Sequence, residues 1–328
     1  MSAAATLDTQ AFVDGVLAGN RGVLARAITL IESRNPHHRD QAAEVLEQVL
    51  PHTGGARRVG LSGVPGVGKS SLIESLGTAL CDAGERVSVL AVDPSSQRTG
   101  GSILGDKTRM PRLTVHPNAF IRPSPAGEQL GGVAAATADT ISLVEAAGFS
   151  TVIVETVGVG QSETLVSAMT DCFLVLMLPG AGDELQGIKK GIVELADIVA
   201  VNKADGDTAI AAAHAARDYE AALRTLQQRD AHWPVPVITC SATQAGGADP
   251  VHAQLDAYFQ AAHGAGAIEA RRARQRVTWL WQQLDAAMRA RARARGTTAI
   301  DDIERAVASG ALSTRTGAAR LLTALFGD

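Results

Sequence analysis

One glycine-rich segment constrains this chain more than any other feature of its sequence. The eight residues Gly63-Val64-Pro65-Gly66-Val67-Gly68-Lys69-Ser70 fit the pattern G-x-x-x-x-G-K-[ST]. A predicted strand that begins with Arg58–Ser62 leads into them, and the periodicity of Ser70–Asp82 predicts a helix directly after them. Backbone N–H groups of such a loop bind phosphate oxygens at the positive end of the helix. The segment therefore predicts a phosphate site, with Lys69 directed at the β- and γ-phosphates and Ser70 at magnesium.

Short β-branched runs alternate with helical periodicity through the middle of the chain. The predicted strands are Val87–Val92, Thr151–Glu155, Cys172–Leu178, Ile198–Asn202 and Val235–Cys240. The predicted helices are Ser70–Asp82, Gly132–Ala147, Glu184–Leu195 and Thr208–Gln227. This alternation predicts an α/β fold of the P-loop NTPase type, with a doubly wound, mostly parallel sheet flanked by helices.

The flanks of this region differ from it in composition and periodicity. Residues 1–55 carry apolar side chains at helical spacing and predict an N-terminal helical element. Residues 56–263 are expected to form the nucleotide-binding domain. Beyond two glycines, Gly264 and Gly266, the chain becomes rich in Ala and Arg, so residues 264–328 are expected to form a helical C-terminal arm.

Charge and cysteine content exclude several classes of protein. The net charge of −4 gives no strong field for a polyanion, and the Arg-rich stretch from Arg271 to Arg295 has few interleaved aromatics, so we expect no nucleic-acid partner. Three widely spaced cysteines favour a reducing compartment over a disulfide framework. Neither a signal peptide nor an apolar run long enough to span a bilayer is recognisable, so a cytoplasmic protein without a membrane partner is expected.

A second motif predicts the identity of the nucleotide base. Asn202-Lys203-Ala204-Asp205 follows an apolar strand and fits N-K-x-D. The Asp205 carboxylate can accept hydrogen bonds from the ring N–H and exocyclic amino group of guanine, which adenine lacks. Ser241-Ala242 follows the next strand, where a backbone N–H can meet the guanine oxygen. Asn202 capping a turn is the alternative, and the phosphate loop favours the GTP/GDP interpretation.

Acidic residues at two strand ends predict the magnesium site. Asp93 and Glu155 both fall at the carboxyl edge of the predicted sheet, where Mg²⁺ takes few carboxylates besides phosphate oxygens and water. Asp106, in a long polar loop, is a further candidate near the metal, and the Gly158 N–H is expected to contact the γ-phosphate. Capping of the following loops is the alternative for the two strand-end acids.

The residue after Gly158 bears on the rate of hydrolysis. It is Val159, an aliphatic residue where a water-orienting Gln stands in GTPases of the Ras type. An aliphatic side chain cannot position the attacking water. The sequence therefore predicts slow intrinsic hydrolysis that a partner accelerates.

Together these segments resemble the MeaB family, also called ArgK-type proteins, which are GTPase chaperones of adenosylcobalamin-dependent acyl-CoA mutases. The resemblance spans about residues 27–241, and its most specific motifs are Gly100–Met110 and Pro179–Gly191. It implies a homodimer with an N-terminal helical element, a central G domain and a C-terminal dimerisation arm. It also implies a role in loading the mutase with cofactor and protecting it, with methylmalonyl-CoA mutase or a related isobutyryl- or 2-hydroxyisobutyryl-CoA mutase as client.

The resemblance assigns roles to particular residues. The expected phosphate and magnesium ligands are Lys69, Ser70, Asp93, Asp106 and Glu155, and Gly158 completes the catalytic set. The expected nucleotide-binding residues are Gly63, Val64, Pro65, Gly66, Val67, Gly68, Lys69, Ser70, Ser71, Asn202, Lys203, Asp205, Ser241 and Ala242. A switch that responds to the mutase is expected at Asp183, Glu184, Gln186, Lys189 and Lys190. Gln97 and Ala126–Gln129 depart from the family pattern, which is compatible with a different client.

Three other functions remain as alternatives. A nickel-insertion GTPase shares the fold class, but this chain has neither a Cys-x-x-Cys motif nor a His tract beyond His37-His38. A transport-associated ATPase or kinase is opposed by Asp205, which favours guanine. A non-enzymatic scaffold would not need intact phosphate-loop residues.

Overall fold

The structure, a computed structural model, describes residues 7–33, 35–92, 109–123, 130–156, 162–179, 190–226, 233–295 and 298–326. By its contacts the chain divides into two compact units, Met1–Arg276 and Val277–Asp328. The N-terminal helices belong to the first unit. The boundary between the two units falls within a long helix. This position is C-terminal to residue 264, the start of the C-terminal arm that the sequence predicts.

The first unit is built on a seven-stranded sheet in which neighbouring strands pair in parallel. Its strands are β1 (Arg57–Gly63), β2 (Val87–Val92), β3 (Ala119–Pro123), β4 (Thr151–Thr156), β5 (Cys172–Met177), β6 (Ile198–Val201) and β7 (Val237–Thr239). Their order across the sheet is β3-β2-β4-β1-β5-β6-β7. The predicted doubly wound α/β fold is confirmed. Every residue of β2, β4, β5 and β6 is buried, as expected for strands covered by helices on both faces.

Helices precede the sheet, alternate with its strands and follow it. The helices are α1 (Thr9–Leu17), α2 (Arg21–Ile31), α3 (Pro36–Val49), α4 (Lys69–Asp82), α5 (Pro111–Val115), α6 (Leu130–Ala146), α7 (Ser162–Ser167), α8 (Lys190–Val193), α9 (Ala209–Leu226), α10 (Asp249–Gly264), α11 (Ala267–Arg295), α12 (Thr298–Ala308) and α13 (Thr314–Phe326). Side-chain oxygens of Asp8, Asn20 and Asn35 cap the first three helices. None of the described helices is long and apolar enough to cross a membrane.

The strand β3 was not predicted from the sequence. It lies at one edge of the sheet, pairs only with β2 in the described residues, and ends at Pro123. Helix α2 is bonded to it at both ends, because Arg21 donates to the Ala119 carbonyl and Arg122 Nη2 lies 2.6 Å from Oε2 of Glu32, the C-cap residue. These contacts hold α2 against the edge of the sheet.

A buried ionic cluster explains why the first turns of α11 belong to the first unit. Asp171, fully buried, accepts hydrogen bonds from Arg272 Nε at 2.8 Å and from the Arg58 backbone N–H at 3.0 Å. The Arg58 guanidinium is in turn paired with Glu145 at 2.7 Å. Removing one partner from such a cluster leaves a buried charge uncompensated. The root of α11 is therefore fixed to the amino-terminal edge of the sheet.

The second unit contains the remainder of α11 and the hairpin of α12 and α13. In the hairpin, Ile303, Val307, Leu312 and Leu321 are only half-buried. The two helices of the hairpin approach closely at Gly317, where an added Cβ would lie 2.6 Å from Val307 Cγ2. The turn around Gly310 separates α12 from α13.

Candidate functional site

The phosphate loop connects the carboxyl end of β1 to the first turn of α4. Val67 is fully buried and anchors the loop in the core, whereas Pro65 and Gly66 are exposed. Gly66 and Gly68 have φ angles of 79° and 101°, in the left-handed region that favours glycine. A Cβ at Gly68 would also lie 2.5 Å from Asn202 Nδ2. The glycines of the motif therefore permit both the loop conformation and its contact with the neighbouring loop.

Lys69 opens α4 and turns back over the loop. Its Nζ donates to the Gly63 carbonyl at 2.7 Å, and the residue is only 9% exposed. Burial lowers the pKa of Lys69, while the charges of Glu155 and Glu163 oppose that shift. A bound polyphosphate would add negative charge beside this ammonium and favour its charged form. The arrangement suits a lysine that neutralises phosphate oxygens.

Ser70 and Glu155 bring a hydroxyl and a carboxylate together beside the loop. Ser70 Oγ, in the first turn of α4, donates to Glu155 Oε1 at 3.2 Å, near the end of β4. The next residue along β4, Thr156, donates to Ser62 Oγ at 3.1 Å and joins β4 to β1. Oxygen donors of this kind are those that Mg²⁺ prefers, so the residues present fit a magnesium ion. No group of three or more His, Cys, Asp or Glu side chains able to hold a metal occurs among the described residues.

The N-K-x-D motif begins at the carboxyl end of β6, and its first residue, Asn202, contacts the phosphate loop. Asn202 is buried; its Nδ2 donates to the Val67 carbonyl at 2.7 Å, and its Oδ1 accepts from the Ala242 N–H at 3.0 Å. Lys203 has a φ angle of 60°, the only positive value for a non-glycine residue in the described chain. Asn202 thus connects the phosphate loop, the base motif and the loop after β7.

Asp205 is held by hydroxyl groups from the loop after β7. Its Oδ2 accepts from Ser241 Oγ at 3.0 Å and from Thr243 Oγ1 at 3.2 Å. The strand register sets this meeting, because Val201 on β6 pairs with Thr239 on β7 and both chains then leave the sheet at the same edge. The half-buried carboxylate is oriented to accept further donors, as guanine recognition requires.

The structure thus brings together the predicted residues of β1, β4, β6, β7 and α4. Ser71 lies one residue into α4 and is exposed. The predicted ligands Asp93 and Asp106, and the predicted Gly158, lie outside the described residues. The predicted switch residues Asp183, Glu184, Gln186 and Lys189 also lie outside them, and Lys190 is described only as the first residue of α8.

Two residues of this region were missed by the sequence analysis. Glu163, in the first turn of α7, is only 1% exposed, and its charge raises the pKa of the phosphate-loop lysine. Thr243 contacts Asp205 from another loop. Glu163 lies between the predicted strands Thr151–Glu155 and Cys172–Leu178, and no motif of the sequence analysis includes it. No local signal marked Thr243, because its contact depends on the packing of two loops.

Comparison with known proteins identifies the family of the chain. Residues 24–297 match the family model described as methylmalonyl Co-A mutase-associated GTPase MeaB. A probable GTPase of Mycobacterium tuberculosis is 52% identical over 316 residues, covering 94% of both chains. The GTPase ArgK of Escherichia coli is 47% identical over 268 residues, or 81% of each chain.

A eukaryotic relative and a solved structure extend the comparison. The mitochondrial methylmalonic aciduria type A homolog of Mus musculus is 44% identical over 289 residues, covering 84% of this chain and 69% of the mouse protein. A crystal structure described as an LAO/AO transport system kinase aligns over 98% of both chains, with 36% identity and a TM-score of 0.76. The phosphate loop, the base motif and these relatives agree: the chain is a P-loop GTPase and belongs to the MeaB family of methylmalonyl-CoA mutase-associated GTPases.

Proposed function

We propose that this GTPase gates the loading of adenosylcobalamin into an acyl-CoA mutase and protects that mutase, using GTP binding and hydrolysis as the switch. The observation that carries the proposal is the family match over residues 24–297, whose description names a mutase-associated GTPase. The client is methylmalonyl-CoA mutase or a related isobutyryl- or 2-hydroxyisobutyryl-CoA mutase.

The nucleotide-binding part of the proposal follows from the site geometry. The loop from Gly63 to Ser70 binds the phosphates, with Lys69 placed to neutralise the β- and γ-phosphate oxygens. Asp205 accepts hydrogen bonds from the ring N–H and amino group of guanine. The N–H of Ala242 is held near the base by Asn202, at 3.0 Å from its Oδ1. Each contact is made by a group that the fold already orients.

Magnesium is proposed as the metal of this site. Ser70 and Glu155 hold it, directly or through water, and Asp93 and Asp106 are the further candidates. Bound there, Mg²⁺ supplies charge neutralisation on the phosphate oxygens during hydrolysis. The Glu155 carboxylate accepts the hydrogen bond of the Ser70 hydroxyl, and its charge opposes the lowering of the Lys69 pKa that burial causes.

Hydrolysis is proposed to be slow until a partner acts. Val159 supplies no group that can orient water. The catalytic set Lys69, Asp106, Glu155 and Gly158 binds and stabilises the transferred phosphoryl group. The segment with Asp183, Glu184, Gln186, Lys189 and Lys190 is proposed as the switch that senses the mutase.

A homodimer is proposed, with the C-terminal helices as its seam. Five large apolar side chains of α11 are exposed at helical spacing: Val277, Leu280, Trp281, Leu284 and Met288. They form one stripe, at positions i, i+3, i+4, i+7 and i+11, and Leu280 and Trp281 are 65% and 61% exposed. Contiguous exposed apolar side chains on a monomer mark an association surface. A second copy of the chain offers the same stripe and covers the first one.

The proposed compartment is the cytoplasm.

The proposal is tested by co-purification with candidate acyl-CoA mutases in a non-hydrolysable GTP analogue, followed by GTPase assays with and without each mutase. We expect complex formation and a stimulation of about tenfold or more in kcat, since partner-supplied activation of GTPases reaches several orders of magnitude. Lys69→Ala is the matched control and should neither hydrolyse GTP nor be stimulated. If no mutase binds or stimulates the protein, the chaperone role is wrong while the GTPase assignment stands.

A further inference from the structure

The loop that follows β7 presents two hydroxyl groups to a single carboxylate oxygen. Ser241 Oγ and Thr243 Oγ1 lie 3.0 Å and 3.2 Å from Asp205 Oδ2, and they lie 3.4 Å from each other. Because an ionised carboxylate is a stronger acceptor than a hydroxyl, the Thr243 proton is directed at Asp205 rather than at Ser241. The base-recognition aspartate thus has two protein donors on one oxygen.

The loop geometry fixes the Ser241 hydroxyl before any ligand binds. The Gln244 N–H donates to Ser241 Oγ at 3.3 Å, so this hydroxyl is left to donate to Asp205. The turn is closed by hydrogen bonds from the Ser241 N–H to the Gly247 carbonyl at 3.0 Å and from the Gly247 N–H to the Gln244 carbonyl, also at 3.0 Å. A Cβ at Gly247 would lie 2.1 Å from the Ser241 carbonyl oxygen, so this close approach requires glycine. Thr243 is β-branched, which further restricts its side-chain rotation.

The number of acceptor sites on the Asp205 carboxylate indicates what this arrangement does. A carboxylate offers about four lone-pair sites on its two oxygens. Two are occupied by the hydroxyls of Ser241 and Thr243, so about two remain. Guanine presents two kinds of donor on the facing edge, the ring N–H and the exocyclic amino group. Hypoxanthine presents the ring N–H and lacks the amino group.

We infer that Thr243 is a specificity-determining residue that, together with Ser241, fixes the rotation of the Asp205 carboxylate so that it discriminates for the exocyclic amino group of guanine. The inference rests on the proposed role of Asp205 in guanine recognition. Thr243 is a positioning residue, because it acts through Asp205 and not on the base. Without its hydroxyl, Asp205 Oδ2 keeps only the Ser241 donor, and the carboxylate can rotate away from the geometry that serves both donors of guanine.

The test measures binding of GDP and inosine diphosphate (IDP) to the full-length protein by isothermal titration calorimetry. We expect Thr243→Val, which keeps the shape and removes the hydroxyl, to weaken GDP binding ~5-fold and to lower the ratio of GDP to IDP affinity ~3-fold. Thr243→Ser restores the hydroxyl and should return both quantities to within about twofold of wild type. Thermal unfolding without nucleotide checks that Thr243→Val is folded.

A matched control comes from the same region. The Thr208 hydroxyl donates to the backbone carbonyls of Lys203 and Asp205, not to the carboxylate. We expect Thr208→Val to leave the ratio of GDP to IDP affinity unchanged, even if both affinities fall. An equal loss of this ratio in Thr208→Val would overturn the specific role of Thr243.

The remaining outcomes separate this inference from the function on which it rests. If wild type binds GDP no better than ADP, Asp205 does not select guanine, and both the base assignment and this inference fail. If wild type prefers GDP and Thr243→Val has the wild-type ratio of GDP to IDP affinity, the inference alone is wrong. Failure of Thr243→Ser to restore a lowered ratio would also overturn it, because the hydroxyl would then not be the operative group.

Discussion

The side-chain amide of Asn202 donates to the backbone carbonyl of Val67 at a distance of 2.7 Å. Val67 belongs to the phosphate loop and Asn202 to the base motif, so a single buried contact joins the two halves of the nucleotide site. The oxygen of the same amide accepts a hydrogen bond from the Ala242 N–H and so fixes the loop that follows β7. We therefore predict that affinity for the phosphates and selectivity for the base are coupled through Asn202.

Asn202→Ala tests this coupling. It leaves the Val67 carbonyl and the Ala242 N–H without their partner in a buried setting, which costs about 1–3 kcal/mol per group. We expect GDP affinity to fall about 10- to 100-fold, and the free energy of unfolding to fall by about 2 kcal/mol. Calorimetry and urea denaturation measure the two quantities.

The control for this variant is Asn118→Ala. The Asn118 Nδ2 donates to the Cys81 carbonyl at 3.5 Å, a weaker and half-buried contact of an asparagine in another loop. It should leave GDP affinity unchanged. Normal GDP binding in Asn202→Ala would show that the two halves of the site are held together by other contacts.

Asp205→Asn is expected to change the preferred base. An amide can donate to a carbonyl, and xanthine has a carbonyl where guanine has its exocyclic amino group. We therefore expect GDP binding to weaken ~100-fold and xanthosine diphosphate to become the preferred ligand. Competition with a fluorescent nucleotide measures both affinities. The control is Asp207→Asn, which changes an exposed acid in the same loop and should keep the wild-type preference for GDP. If Asp205→Asn also preferred GDP, Asp205 would have no role in base recognition.

The sheet and the core of the site could be predicted because their signals are local. The phosphate loop and the base motif are each contiguous in sequence, and β2, β4, β5 and β6 are short apolar runs that end in turns. β3 was missed because it is an edge strand that contains Arg122 and ends at Pro123, so its sequence does not form a continuous apolar run. Strand pairing, not composition, identifies it.

Contacts between distant segments could not be predicted in the same way. Thr243 meets Asp205 because the register of β6 and β7 brings their loops to one edge. Arg272 reaches Asp171, 101 residues earlier in the chain, and this contact moves the start of the second compact unit into α11. An Ala- and Arg-rich helix gives no sign of which arginines are buried. Such contacts follow from tertiary packing alone.

Asp139 predicts a pH dependence of stability. Burial on α6 raises the pKa of this carboxyl from its ordinary value of 3.8 to about 6. The folded protein then binds the proton more tightly than the unfolded chain does, so this group makes stability fall as the pH rises from about 4 to about 6. Asp139→Asn removes the penalty. At pH 7 we expect it to raise the free energy of unfolding by up to about 3 kcal/mol.

Urea denaturation across this pH range measures the effect. Asp139→Asn should lose the decline in stability between about pH 4 and pH 6 that Asp139 contributes. Asp218→Asn, which changes an exposed aspartate of α9, is the matched control and should follow wild type. Identical pH profiles for wild type and Asp139→Asn would show that this carboxyl titrates normally in the folded protein.

The exposed apolar stripe of α11 predicts the oligomeric state. Trp281 and Leu284 lie near its centre, 61% and 44% exposed, and burying two such side chains at a dimer seam stabilises association by several kcal/mol, about 1.5–3 for each. Placing a charge at both positions, in Trp281→Asp/Leu284→Asp, should therefore convert a dimer into a monomer at micromolar concentration. Sedimentation velocity measures the change, and GDP affinity should stay at the wild-type value because the nucleotide site is formed by the first unit.

Ala286→Asp provides the control for the stripe. Ala286 is exposed and, from its spacing of two residues from Leu284, lies on the other side of the helix. This variant should remain a dimer, because its added charge faces away from the stripe. A dimeric Trp281→Asp/Leu284→Asp variant would place the seam elsewhere. A monomeric wild type whose stripe variant no longer binds the mutase would instead assign the stripe to the mutase.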